Sequence, residues 1–258
     1  MDLVDNTAVR RAVAAFAARP EQRTALEVLR QCMFGELLLD VTGSEAPEGG
    51  TFAPGNRLQI NGGTGPDGGR ALFAFTRNEE IARQHPPGTR TQSMVTPAVG
   101  ALELARNNRN PWLYLDPAGP TCALSAAEID FALRNPRNGP LKESLVAFSL
   151  GQIDRGGVVN LLRQDGALLL AVDDRTVPGT MSLRTTALPD GTPALLAFTS
   201  APEVTAHNPA DAVAPQTVDG VLDTMRVNNF GGLVIDPVGP WIALSRAELQ
   251  DPPRYIDR

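Results

Sequence analysis

Aromatic residues are scarce in this chain, at 5% of 258 positions. A core with so few rings must rest on Ala, Val and Leu. Cysteines number two, Cys32 and Cys122. Both have apolar neighbours and they sit at unmatched places in the chain. That pattern reads as two reduced thiols acting as small hydrophobes, not as a disulfide or a nucleophile. Histidines also number two, His85 and His207. A zinc site needs several His or Cys ligands close together, so no metal is expected. No G-x-x-x-x-G-K-[ST], G-x-S-x-G or H-E-x-x-H occurs, and no cofactor is expected. No segment approaches ~18 apolar residues, so no membrane span is expected. The start, MDLVDNTAVRRAVAAFAARP, lacks the positive region and strong apolar run of a signal peptide. These absences together read as a cytoplasmic protein.

Basic residues number 23 against 29 acidic ones, a net charge of −6. An acidic surface repels phosphate backbones, so nucleic acid is not expected as a partner. The hydrophobic share is 42%, enough for a sizeable core and against global disorder.

The chain contains itself twice. LDPAGPTCALSAAEI (Leu115 to Ile129) and IDPVGPWIALSRAEL (Ile235 to Leu249) agree at nine of fifteen positions, at an offset of 120. PDGGRALFAFT (Pro66 to Thr76) answers PDGTPALLAFT (Pro189 to Thr199) at an offset of 123. Val9, Val13 and Phe16 recur as Leu141, Leu145 and Phe148, each set spaced as one face of a helix. The copies run over roughly 6–136 and 138–258, which divides the chain into domains 1–136 and 137–258. The join, RNPRNGP, has the Asn, Pro and Gly of a linker.

Each copy predicts the same order. An amphipathic helix (7–18, 140–150) precedes a second (20–32, 153–163). A strand follows (36–41, 167–172). RLQI and MSLRTT then suggest a further strand each, before ALFAFT and ALLAFT. A short helix and a longer one (98–107, 218–227) lead to WLYLD and GLVID, a turn, and a closing helix. Two helices between the AFT and DP strands favour a parallel pair. The expected fold is α/β or α+β, with a mixed sheet packed by helices in each copy.

Most motifs have plain structural readings. GTGPDG (Gly63 to Gly68) fits G-x-G-x-x-G, but a Pro sits inside it, a strand and not a helix follows, and the second copy lacks the glycines, so it reads as a loop. His85 and Asn208 read as helix-end residues before prolines. Trp112 and Trp241 are not equivalent and read as core residues. Carboxylate pairs are not kept between copies; Asp40, for instance, aligns with Ala171. In D-P-x-G-P, Asp, Pro and Gly are the preferred residues of a type I turn, the Asp bonding its own backbone two residues on. The S-x-x-E behind it, Ser125 with Glu128 and Ser245 with Glu248, is a capping box. Thr76 with Glu79, and Ser200 with Glu203, are expected to start the short helices.

One binding edge is expected. If the AFT and DP strands are parallel, their carboxyl ends share the edge where ligands of open sheets bind. Thr76, Arg77 and Asp116 would gather there in one copy, and Thr199, Ser200 and Asp236 in the other.

The helix pair, LLLDV, a strand ending in F-T, and a strand ending in D-P before L-S-x-A-E resemble the SseB N-terminal domain, in two tandem copies. The proline that often follows the first strand of that family is absent here. The resemblance implies a bacterial protein, linked to enhanced serine sensitivity and by shared name to secretion. It carries over no catalytic residue. The sequence therefore favours a non-enzymatic module that binds another protein. The alternative is a hydrolase or transferase with its site at the strand ends of one copy.

Overall fold

In a computed structural model of the chain, the described residues are 4–45, 58–164, 166–174 and 181–250. The chain divides into two compact units, Met1–Leu133 and Arg134–Arg258.

Unit 1 opens with α1 (Thr7–Ala18) and α2 (Gln22–Gln31). The Asn6 side chain accepts the Val9 amide and so caps α1. Val9, Ala12 and Val13 form its buried face, the spacing expected of an amphipathic helix. Strand β1 (Glu36–Asp40) follows, then β2 (Gly62–Thr64) and β3 (Arg70–Ala74). The short α3 (Asn78–Ala82) leads to β4 (Ser93–Pro97) and α4 (Ala98–Asn107). β5 (Trp112–Leu115), β6 (Cys122–Ser125) and α5 (Ala126–Leu133) complete the unit.

The main sheet has the order β2-β3-β5-β6, and β1 pairs with β4 beside it. β3 and β5 are parallel, as the long crossover predicts, with Ala71 opposite Trp112. The other pairs are antiparallel. A single bridge, Leu38 to Phe75, ties β1 to the end of β3. The helices cover the sheet with Val28, Leu29, Leu102 and Ile129, against Leu72, Leu113 and Leu124. This is the α+β fold that the repeated pattern predicts.

Unit 2 repeats the plan: α6 (Gly139–Ser149), α7 (Arg155–Leu162), β7 (Ala167–Asp173), β8 (Ser182–Leu183) and β9 (Thr185–Ala187). Then come β10 (Pro193–Ala197), α8 (Ala201–His207), β11 (Ala212–Thr217) and α9 (Val218–Val227). β12 (Gly232–Ile235), β13 (Ile242–Ser245) and α10 (Arg246–Gln250) close it. Its sheets run β13-β12-β10-β9 and β11-β7-β8, again with one parallel pair, β10 with β12.

Several expectations are corrected. The crossover between the parallel strands holds a strand as well as two helices, β4 or β11, pairing with β1 or β7. A further short strand, β6 or β13, stands between the turn and the closing helix. Leu58–Ile60 of RLQI are not a strand; β2 lies just beyond, within the glycine-rich stretch. GTGPDG is therefore the tip of the β2–β3 hairpin, closed by the Gly68 amide on the Gly65 carbonyl. A Cβ at Gly62, just before the motif, would stand 2.3 Å from the Ala71 carbonyl oxygen, and one at the motif's Gly63 2.3 Å from the Phe73 ring, so glycine here permits strand pairing.

Candidate functional site

The parallel strands bring their carboxyl ends together, and with them the two D-P-x-G-P turns. In unit 1, the Thr76 amide donates to Asp116 Oδ1 at 2.9 Å and the Thr76 hydroxyl to Oδ2 at 2.7 Å. In unit 2, the Thr199 amide and hydroxyl make the same bonds to Asp236, at 2.9 and 2.6 Å. All four residues are buried. The amide that opens the first helix docks here too: Asn6 N–H on the Thr76 carbonyl, Asn138 N–H on that of Thr199, both at 2.9 Å.

The turn closes as expected, with the Gly119 amide on the Asp116 carbonyl and Gly239 on Asp236. The aspartate's task is different from the one expected. Its carboxylate reaches back across the sheet to Thr and does not bond its own turn. Asp116 has φ +51 and Asp236 φ +52, the left-handed region. Asp is among the few side chains that enter this region at modest cost. Two hydrogen bonds from the threonine hold each carboxylate there. The motif is thus a clip between neighbouring strands, and Thr76 is not the cap of α3. Arg77 and Ser200 occupy the cap positions, without a side-chain cap bond.

The copies solve the surrounding electrostatics differently. In unit 1 the buried Glu80 accepts from Arg77 at 2.8 Å and from Arg83 at 2.8 Å, both from the exterior. Burial pushes the Asp116 carboxyl above its ordinary range; the Thr76 bonds oppose this, and the Glu80 charge adds to it. Arg10 turns away to Asp5. In unit 2, Ser200 and Ala206 stand where unit 1 has Arg77 and Arg83. There Lys142, at Arg10's place, runs inward. Its Nζ donates to Glu203 Oε1 at 2.6 Å and Asp236 Oδ2 at 2.9 Å, with all three side chains at most 4% exposed. So the structure joins Thr76 with Asp116 and Thr199 with Asp236. It directs Arg77 to Glu80 and buries Ser200 at the start of α8. The sequence reading missed Lys142, although a signal existed: it is the chain's sole lysine among 23 basic residues.

His85 is more than a helix end. Its Nε2 lies 2.7 Å from the buried Asp40 Oδ2 and links the loop after α3 to β1. Burial raises the Asp40 carboxyl, but bonds from Thr42, His85 and Asn61 outweigh it and hold the group below its ordinary value. Ala171 replaces Asp40 in unit 2. There Arg184 pairs with Asp211 at 2.7 Å and Asp173 at 3.2 Å.

The units also differ just past the turn. Trp241 is 54% exposed, and Val238 within the turn is 47% exposed. The core reading of Trp241 is therefore corrected. Unit 1 has Thr121 and Ala118 at these places. Thr121 folds its hydroxyl onto the Leu115 carbonyl at 2.8 Å, a closure Trp cannot make. Trp241 instead walls a cleft of about 630 Å³ with Phe148, Leu188, Pro189 and Pro240, bordered by the edge strand β13. At that border Arg155 Nη2 donates to the Ala243 carbonyl at 2.5 Å and to Glu248 at 2.8 Å. Glu248 in turn accepts the Ser245 amide and hydroxyl, the capping box read from the sequence. Unit 1 keeps that box at Ser125 and Glu128. Its counterpart of Arg155, Arg23, is exposed.

Fold and site define a duplicated α+β repeat with a buried strand clip in each copy. The SseB protein N-terminal domain matches the chain twice, over residues 9–130 and 141–251. The chain belongs to the SseB family, as two tandem copies of that domain. Neither the curated proteins nor the solved structures give a match. Among the described residues, no helix is long and apolar enough to cross a membrane.

Proposed function

We propose that the chain is a non-enzymatic protein-interaction module whose contact surface is the Trp241 cleft of unit 2. The observation that carries this is the half-exposed Trp241, standing beside an apolar cleft where the other copy has a self-satisfied threonine. Trp is the residue most enriched among the few that dominate binding energy, and exposed apolar patches mark interaction sites. An enzyme at the strand ends would need a free acid, base or nucleophile there. Thr76 with Asp116, and Thr199 with Asp236, are instead buried and bonded to each other, which weighs against the hydrolase or transferase reading. In this reading the strand-end residues, with Arg77 and Ser200, hold the turns in place, and the second turn presents Trp241. The net charge of −6 favours a protein partner over nucleic acid. Two buried free thiols fit a reducing bacterial cytoplasm.

Affinity capture with the full chain as bait tests this. Proteins retained by the wild type are expected to be lost with Trp241→Ala, while circular dichroism stays unchanged. Equal capture by both baits would overturn the assignment.

A further inference from the structure

Among the described residues, β13 is the outer strand of its sheet and pairs only with β12. Its register fixes which way each backbone group points. The Arg246 amide donates to the Gly231 carbonyl, in line with Ile242 opposite Ile235 and Leu244 opposite Leu233. In an antiparallel pair, alternate residues carry the ladder bonds. Ile242, Leu244 and Arg246 therefore face β12, and Ala243 and Ser245 direct their backbone groups outward. The side-chain bonds agree: the Ser245 amide meets Glu248, and the Ala243 carbonyl meets Arg155. The outward N–H of Ala243 thus faces the cleft that Trp241 walls, while its outward C=O is held by Arg155.

An unpaired strand edge is a template for another strand. The cleft beside it supplies apolar walls for side chains at every second position, the period of an extended chain. Its rim has one sign. Arg155 and Glu248 neutralise each other, while Asp190 at the hairpin tip keeps its charge, its carboxyl held low by the Thr192 amide.

We infer that β13 takes an extended peptide segment of a partner protein by strand addition, with apolar side chains at alternate positions on Trp241 and Leu188, and a basic residue toward Asp190. The added strand exchanges its own N–H and C=O with those of Ala243 and takes the place of the Arg155 guanidinium on the carbonyl. The sheet of unit 1 ends in the equivalent strand, β6, but Thr121 and Ala118 give it no such wall. This inference rests on the proposed interaction role and adds the mode of contact.

The test pans a library of random dodecapeptides on the full wild-type chain. Binding to the wild type and to Ala243→Pro is read by Trp fluorescence in a Trp112→Phe background, and binding to Trp241→Ala by titration calorimetry. Ala243→Pro removes the outward N–H and leaves the β12 ladder whole, since Ile242, Leu244 and Arg246 serve it. Enriched peptides are expected to alternate apolar residues, to carry Lys or Arg, and to lose about tenfold or more on Ala243→Pro and on Trp241→Ala. N-methylation of the one peptide residue that faces Ala243 is expected to abolish binding to the wild type, a readout that does not depend on the proline variant folding. Three results would overturn the inference: no enrichment on the wild type, equal affinity for Ala243→Pro together with tolerance of every N-methylation, or a wild-type dimer in ultracentrifugation that Ala243→Pro dissolves. If no peptide binds but Trp241-dependent capture of a protein persists, strand addition fails and the interaction role stands.

Discussion

Replacing Lys142 by Met keeps an apolar stem of similar length and removes the cation that Glu203 and Asp236 share. Both carboxylates are at most 1% exposed, so neither can turn to water. Removing one partner of a buried ion pair costs about 3–5 kcal/mol, because the charge left behind stays desolvated. For a unit of this size that lowers the midpoint of thermal unfolding by roughly 10–20 °C. The same change in unit 1, Arg10→Met, removes only the pair with the half-exposed Asp5, worth at most about 1 kcal/mol. Each unit holds one tryptophan, so the two transitions can be followed apart: Trp112→Phe leaves unit 2 reporting and Trp241→Phe leaves unit 1. Urea unfolding of each variant in each background gives the two losses directly. The double variant Lys142→Met/Glu203→Met, which leaves Asp236 on Thr199 much as Asp116 sits on Thr76, is expected to recover a substantial part of the loss. Lys142→Met costing no more than Arg10→Met would refute the reasoning, since the triad would then be solvated.

The single lysine also makes unit 2 open to chemical probing. Amine acylation of Lys142, mapped by mass spectrometry, is expected only when unit 2 opens, at a rate that rises steeply with urea; fast labelling of the native chain would contradict its burial. Burial, reinforced by the Glu128 charge, pushes the Cys122 thiol up to about 12, and burial raises Cys32 as well. Neither thiol should react with a disulfide reagent at neutral pH before unfolding, and rapid native titration of either would show the thiolate to be reachable. The Asp40 carboxyl lies below its unfolded value, so its contribution to stability is present above that value and is lost as pH falls through the folded one. Asp40→Asn should therefore flatten the acid limb of unit 1 below about pH 4, read by urea unfolding across pH; an unchanged limb would exclude the group.

Much of this architecture was legible because every element is written twice. Two helices between the AFT and DP strands predicted parallel pairing, and β3 with β5 and β10 with β12 show it. β4 and β11 escaped notice because SMVTP and AVAPQT are short, half-exposed and contain a proline. Such strands give no strong period. β6 and β13 were hidden between two stronger local signals, a turn and a capping box. The site was less legible. Asp, Pro and Gly in D-P-x-G-P each have a local use, so the long reach of Asp116 to Thr76 could not be read from spacing. Trp241 reads as core from the sequence because large apolar residues usually are, and its exposure depends on packing that no period encodes. What the copies share is the strand clip; what they do not share, Trp241 and Val238 against Thr121 and Ala118, carries the proposed contact surface.

A photo-crosslinking side chain at position 238, in the second turn, and at the equivalent position 118, in the first, compares the two surfaces on one protein. Irradiated in the cell of origin, the chain carrying the probe at 238 is expected to give a discrete adduct with a partner protein, and the chain carrying it at 118 none. Equal adducts from both turns, or an adduct from 118 alone, would contradict the placement of the interaction surface in unit 2.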